Sequence, residues 1–178
     1  MRLGKEVFIE IFENYHRRVY NYIYYRISNS YDAEDLTNQV FEKVISRYQT
    51  YQPSKGHFEG WLFGIAKNCA NDYLREKKKW GWIPFDFESR VGLNSSQKTP
   101  EEEVVIEESS CQLIKLVNKL SQREKNIIAL KYGAQLANVE IAKLMNISET
   151  NVGSIVYRII KKLRKEIEKE DVLCLKRV

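Results

Sequence analysis

Apolar residues recur at helical spacing from Val7 to Ile27: Phe8, Ile11, Phe12, Tyr15, Val19, Tyr22 and Ile23. That stripe predicts a first amphipathic helix. Asn29 and Ser30 break the run, and Asp32 then stands as the expected N-cap of a second helix. Glu34 and Asp35 follow beside its positive end. Leu36, Val40, Phe41, Val44, Ile45 and Tyr48 form the second stripe, and Pro53 and Gly56 mark a loop. A third helix is expected over 58–79, with Trp61, Leu62, Ile65, Ala66, Cys69 and Tyr73 inward. Three such helices share one core, though a unit of about 80 residues holds little stability in reserve.

The period fails after Lys79. "WGWIPFDFESRVGLNSSQKTPEEEV" has two Gly, two Pro and several Ser, and reads as an irregular linker over 80–103. Its aromatics, Trp80, Trp82, Phe85 and Phe87, argue against a free coil. Helical spacing returns near Val104, where Ile106, Leu113, Ile114, Val117 and Leu120 share a face. Ser121 and Glu124 form a capping box before Ile127, Ile128 and Leu130. Gly133 to Ala137 turns the chain into a short helix with Ile141, Ala142 and Leu144. Asn146 suits a left-handed backbone, and Ser148 is the expected cap of a long last helix. Val152, Ile155, Val156, Ile159, Ile160 and Leu163 form its inner stripe.

The fold class that follows is all-α. Two small helical domains, 1–79 and 104–170, are joined by the linker, and 171–178 form a tail. A short helix, a tight turn and a long outward helix make the second domain a helix-turn-helix.

Composition narrows the function. The 178 residues carry a formal net charge of +5, and a pI near 9.0. That balance is compatible with nucleic acid and insufficient to establish it. Cys69, Cys111 and Cys174 are widely spaced, and His16 and His57 lie far from them. No zinc site, disulfide framework or other cofactor is expected, and Cys69 reads as a core thiol. Residues 1–10 hold no long apolar run, and no stretch reaches the roughly 20 apolar residues of a membrane span. A cytoplasmic location is the expectation. Ser-His-Asp sets, phosphate-cradling Gly loops and metal-binding His pairs are all missing from the sequence, so an enzyme is not expected.

The last helix offers Thr150, Asn151, Ser154, Tyr157, Arg158, Lys161 and Lys162 outward. Short hydrogen-bonding residues come first and long cations later, the order a recognition helix needs against base edges and phosphates. The same cations also suit any helix C-terminus, and Glu166, Glu168 and Glu170 suit simple surface pairing. In the first domain, Arg75, Lys77, Lys78 and Lys79 precede Trp80 and Trp82, a combination that binds phosphate and stacks on unpaired bases, or merely ends a helix. Asp32, Glu34 and Asp35 beside Asn38, Gln39 and Glu42 fit a helix start and equally a patch for a basic protein surface. A stand-alone helix-turn-helix repressor or activator is the rival reading.

Set together, these segments resemble a family. "YDAEDLTNQVFEKV", "FEGWLFGIAKNCANDYLREKKK", "KTPEEEV", "LSQREKNIIALKY" and "VEIAKLMNISETNVGSIVYRIIKKLRKEI" are similar, in this order, to regions 2 and 4 of bacterial RNA polymerase sigma factors. The likeness is to the short extracytoplasmic-function (ECF) group of the sigma-70 family. It implies that the chain binds core RNA polymerase and directs promoter-specific initiation. Asp35, Gln39, Phe41 and Glu42 would lie on or near the surface that meets the clamp helices of the large subunit. The loop over 49–60, with Lys55 and His57, would approach a flipped base of the −10 element. Trp61, Asn68, Asp72 and Arg75 would support non-template-strand binding. Ser148, Thr150, Asn151, Ser154, Arg158 and Lys161 would meet the −35 element. Promoter DNA, the flap region of the polymerase and an anti-sigma factor are the further partners implied. The chain departs from the family pattern at Ala137, where Ser or Thr is usual and where Asn138 could cap one residue later. It departs again at Thr150, Asn151, Gly153 and Ile155, positions that bear on the −35 sequence.

Overall fold

The structure, a computed structural model, describes residues 3–79 and 115–175, with side chains to residue 169. Every regular element among the described residues is helical. Helix α1 spans Lys5–Ile27, α2 Ser30–Arg47 and α3 Phe58–Lys79. Val19, Tyr22, Ile23, Val40, Val44, Leu62 and Ala66 are fully buried between them. Each comes from a predicted stripe. Phe63 does not, yet it too is fully buried. It meets Tyr22 edge-on at 5.9 Å, because α3 buries a second face that the stripe alone did not require.

One cap differs from expectation. Asn29, not Asp32, is the N-cap of α2, and its side chain accepts from the Asp32 backbone N–H at 2.9 Å. Ser28 takes the left-handed conformation that ends α1, so the chain re-enters helical geometry immediately after Asn29. The Asp32 carboxylate is thereby released to accept from the Tyr73 hydroxyl and to face Lys77 Nζ at 3.7 Å. This contact ties α2 to α3.

The second unit begins, among the described residues, with a helical stretch over 115–118 that buries Leu116 and Val117. The linker over 80–103, and the expected face at Ile106, Leu113 and Ile114, lie outside the described residues. Helix α4 spans Gln122–Ile128, and the capping box of Ser121 and Glu124 is fully formed. It runs into one wide turn, Ala129–Gly133. Helix α5 covers Asn138–Met145 and α6 Glu149–Leu175. Asn146 is left-handed (φ 52°), and Ser148 Oγ accepts from the Asn151 backbone N–H at 3.2 Å, both as expected. Asn138 does not act as a cap. Ala137 holds the cap position without a side-chain bond, and the buried Oδ1 of Asn138 has no hydrogen-bond partner.

The two units pack against each other along α1 and α3. Gly133 sits on the backbone of α1, where an added Cβ would come within 2.9 Å of Asn21 and Tyr22 main-chain atoms. The Tyr22 hydroxyl donates to Asn126 Oδ1 at 2.8 Å across this seam. Burial pushes that phenol up to about 12. Arg26, only 4% exposed, donates to the Gln122 carbonyl at 3.0 Å and to Asn71 Oδ1 at 2.8 Å. Nearby, Lys125 donates to Asn118 Oδ1 at 2.9 Å. Burial holds its amine below the usual lysine value, and the Arg26 charge lowers it further.

Candidate nucleic-acid interface

Three surfaces carry the residues singled out by the sequence. The first is the outer face of α2. Asp35, Gln39 and Glu42 are exposed there, with Tyr31 and Ile45 as exposed apolar neighbours. Phe41 is not on this face. It is 3% exposed and packs in the core against Phe12 at 4.9 Å and His16 at 5.8 Å. Its neighbours Leu36, Val40 and Val44 are likewise buried, so helical spacing turns Phe41 inward. Phe41 therefore supports the α2 face from beneath.

The second surface is a cleft at the start of α3, with a volume of about 280 Å³. Trp61 lies at its wall, 5.6 Å from Tyr51 and 5.5 Å from Phe58, centroid to centroid. Tyr48 meets Trp61 edge-on at 6.4 Å. Lys55 and His57 come from the loop before α3 and line the same cleft. Gly56 (φ 152°) shapes this loop in a conformation closed to most side chains. Its carbonyl accepts from the Tyr51 hydroxyl at 3.3 Å. Further along α3, Asn68, Asp72 and Arg75 are exposed on the same helical face as Trp61. Asp72 and Arg75 pair at 3.2 Å. Rings, a ring-nitrogen donor and a cation thus border one concave site, continued by a polar helix face. Tyr51 lies in the loop expected to approach the −10 element but was not singled out, and Tyr48, expected in the α2 stripe, instead backs Trp61. The signal for Tyr51 was an aromatic beside Pro53 and Gly56, where a loop needs no core.

The third surface is α6. Ser148, Thr150, Asn151, Ser154, Arg158 and Lys161 are all exposed, and Tyr157 among them is 68% exposed. Ser154 Oγ donates back to the Thr150 carbonyl and Arg158 Nε to the Ser154 carbonyl, at 3.0 and 3.3 Å. Both side chains therefore lie along the helix. Beside them, Glu124 ionises below the usual carboxylate range. Its hydrogen bonds from Ser121 are the main cause, and the Lys162 and Arg158 charges add to it.

Two family models cover the elements that carry these surfaces. Residues 11–80 match the model for sigma-70 region 2, and residues 112–163 match that for sigma-70 region 4. The ECF RNA polymerase sigma factor SigM of Bacillus subtilis is 30% identical over 155 residues, covering 87% of this chain and 91% of that protein. The chain belongs to the ECF sigma factors.

BldN of Streptomyces coelicolor, also an ECF sigma factor, is 27% identical over 162 residues. The match takes in 89% of this chain and 59% of BldN, so the chain spans well under two thirds of that relative. Among solved structures, the sigma factor RpoE in its complex with the anti-sigma factor NepR from Bartonella quintana shares the fold at a TM-score of 0.70 and 16% identity. That match covers 90% of this chain and 96% of RpoE. As a sigma factor, the protein directs promoter recognition by RNA polymerase and is not itself a catalyst. Among the described residues, no helix is long and apolar enough to cross a membrane.

Proposed function

We propose that the three surfaces divide the work of initiation. The α2 face, with Asp35, Gln39 and Glu42 over a Phe41 floor, grips the clamp helices of the polymerase large subunit. The cleft receives a flipped base of the −10 element against the ring wall of Trp61 and Tyr51, with Lys55 and His57 at its rim. Asn68, Asp72 and Arg75 then hold the displaced strand. Stacking in the cleft offsets the loss of base stacking in the duplex. Ser148, Thr150, Asn151, Ser154, Arg158 and Lys161 present α6 to the −35 element, with Arg158 and Lys161 as phosphate contacts. The second unit also meets the flap region, and the chain works in the cytoplasm. RpoE in complex with NepR supports an anti-sigma factor as a further partner.

The observation that carries this reading is the pairing of a concave aromatic cleft with a convex polar helix on one chain. The first suits unpaired bases and the second suits a duplex. Run-off transcription with reconstituted core polymerase tests it. Trp61→Leu is expected to lower open-complex formation by tenfold or more while retaining polymerase binding. Wild-type transcript levels from Trp61→Leu would remove the cleft from the mechanism.

A further inference from the structure

The exposed side of α6 changes character along its length. Residues 149–157 contain no Lys or Arg, and Arg158 is the first cation of the helix. It lies roughly 13–14 Å along the axis from Glu149. A helix end set in the major groove, about 12 Å wide, meets base edges over its first turns and phosphates beyond them. The turns that meet bases therefore carry no cation. Gly153 contributes no side chain, and a Cβ there would stand 3.8 Å from Asn138 Nδ2 of α5. Ile155 is 8% exposed and packs into the second unit.

By helical spacing, Thr150, Ser154 and Tyr157 share the outward stripe, with Asn151 on its flank and Glu149 turned away. Ser154 Oγ already donates to the Thr150 carbonyl. The Asn151 carboxamide, in contrast, makes no hydrogen bond among the described residues, while its backbone N–H is held by the Ser148 cap at 3.2 Å. It is a free amide on a fixed main chain. A carboxamide matches adenine, accepting from N6 and donating to N7. Guanine presents two acceptors, O6 and N7, and is met by the paired donors of Arg or by Lys. Against guanine the Asn151 amide would set acceptor against acceptor. The Thr150 methyl and the Tyr157 ring are apolar and suit the C5-methyl of thymine.

We infer that this chain reads its −35 element through adenine and thymine rather than guanine: Asn151 is the adenine reader, and the Tyr157 ring packs on a thymine methyl further along the element. The inference rests on the proposed role of α6. Base choice then comes from one amide and one ring, while the cations from Arg158 onward hold the backbone without choosing bases. Specificity and affinity are thereby separated along one helix. Loss of Asn151 changes which duplex is bound, and loss of Arg158 changes how tightly any duplex is bound. Stiff A·T tracts can also be favoured through their shape, without base contacts. A preference set by shape is independent of Asn151, and that distinguishes the two causes.

Holoenzyme reconstituted from bacterial core polymerase and the full chain provides the test. It selects bound sequences from a random duplex pool, and the recovered elements are aligned. The wild type is expected to recover an upstream element dominated by A·T pairs, with at least one position fixed as adenine. Asn151→Ala should level that position, cutting the preference for adenine about tenfold, and should leave the other positions as they were. Asn151→Arg should move the same position to guanine, since a guanidinium donates to both O6 and N7. Tyr157→Ala should remove a thymine preference at a separate position and keep the adenine. A wild-type upstream element that requires guanine overturns the inference. So does an adenine preference that survives both Asn151 variants while Arg158→Ala still weakens binding, or a loss in the Asn151 variants that is uniform across sequences. Failure of the role of α6 itself has a different signature: the upstream element is then indifferent to the Asn151, Tyr157 and Arg158 variants alike.

Discussion

The cleft at the start of α3 and the outer face of α6 are built on opposite plans. The cleft is concave, walled by rings and bordered on one side by Glu140, Lys143 and Leu144 of α5. The α6 face is convex, nearly ring-free and exposed. Unpaired bases offer π-faces that reward enclosure, whereas a duplex offers phosphates and base edges that reward a protruding helix. A concave apolar site can be closed by a neighbouring helix, and a protruding polar one is harder to cover without leaving charges unpaired.

The largest expected effect breaks the comparison on the cleft side. Trp61→Leu keeps apolar bulk but loses the stacking face, a loss of about 1–3 kcal/mol per base in comparable sites. Open-complex formation, followed by permanganate reactivity of the melted strand, should fall by tenfold or more with duplex binding unchanged. On the other side, Arg158→Ala should weaken duplex binding uniformly across sequences and lower the salt slope by about one. Titrations at several salt concentrations read this directly, and a sequence-dependent loss would instead make Arg158 a base reader.

Two smaller effects sharpen the comparison by tuning the frame. Ala137→Ser supplies the missing cap of α5 and should stabilise it by about 1 kcal/mol. Urea melts check this, and a lower midpoint would show that the site cannot accept a hydroxyl. The smallest effect concerns Lys125. Its amine titrates lower when folded, so between that lowered value and the ordinary lysine value the unfolded chain holds more protons. Stability therefore rises with pH through that window, and falls back as pH drops through the folded value. Lys125→Met should remove this rise, as seen in thermal midpoints across alkaline pH.

The helices themselves were legible because each had to bury a stripe, and the boundaries of α3 were expected to the residue. Ser121, Asn146 and Ser148 were legible because caps are local chemistry. Asn29 was read only as a break in the run and Asp32 as the cap; the true cap depended on the left-handed turn at Ser28, which composition does not announce. Phe41 belonged to a motif and to a stripe at once, and burial decided between them. The seam was not legible. Arg18 and its carbonyl partner are separated by 116 positions, and an arginine on a helix looks the same whether it meets water or a distant main chain. Arg26 stands in the last turn of α1, a common place for a solvated cation, yet it is buried.

Tyr22 makes the seam observable in time. Ordinary phenols ionise near about 10, whereas this one holds its proton to about 12 while Asn126 covers it. In a stopped-flow jump to a pH between those values, exposed tyrosines become tyrosinate within the mixing time. Tyr22 ionises only in the fraction of molecules whose cover has lifted, and that fraction ionises no faster than the cover opens. The slow ultraviolet absorbance phase that disappears in Tyr22→Phe is then an optical clock, carried by the native chain, for the rate at which the two halves part.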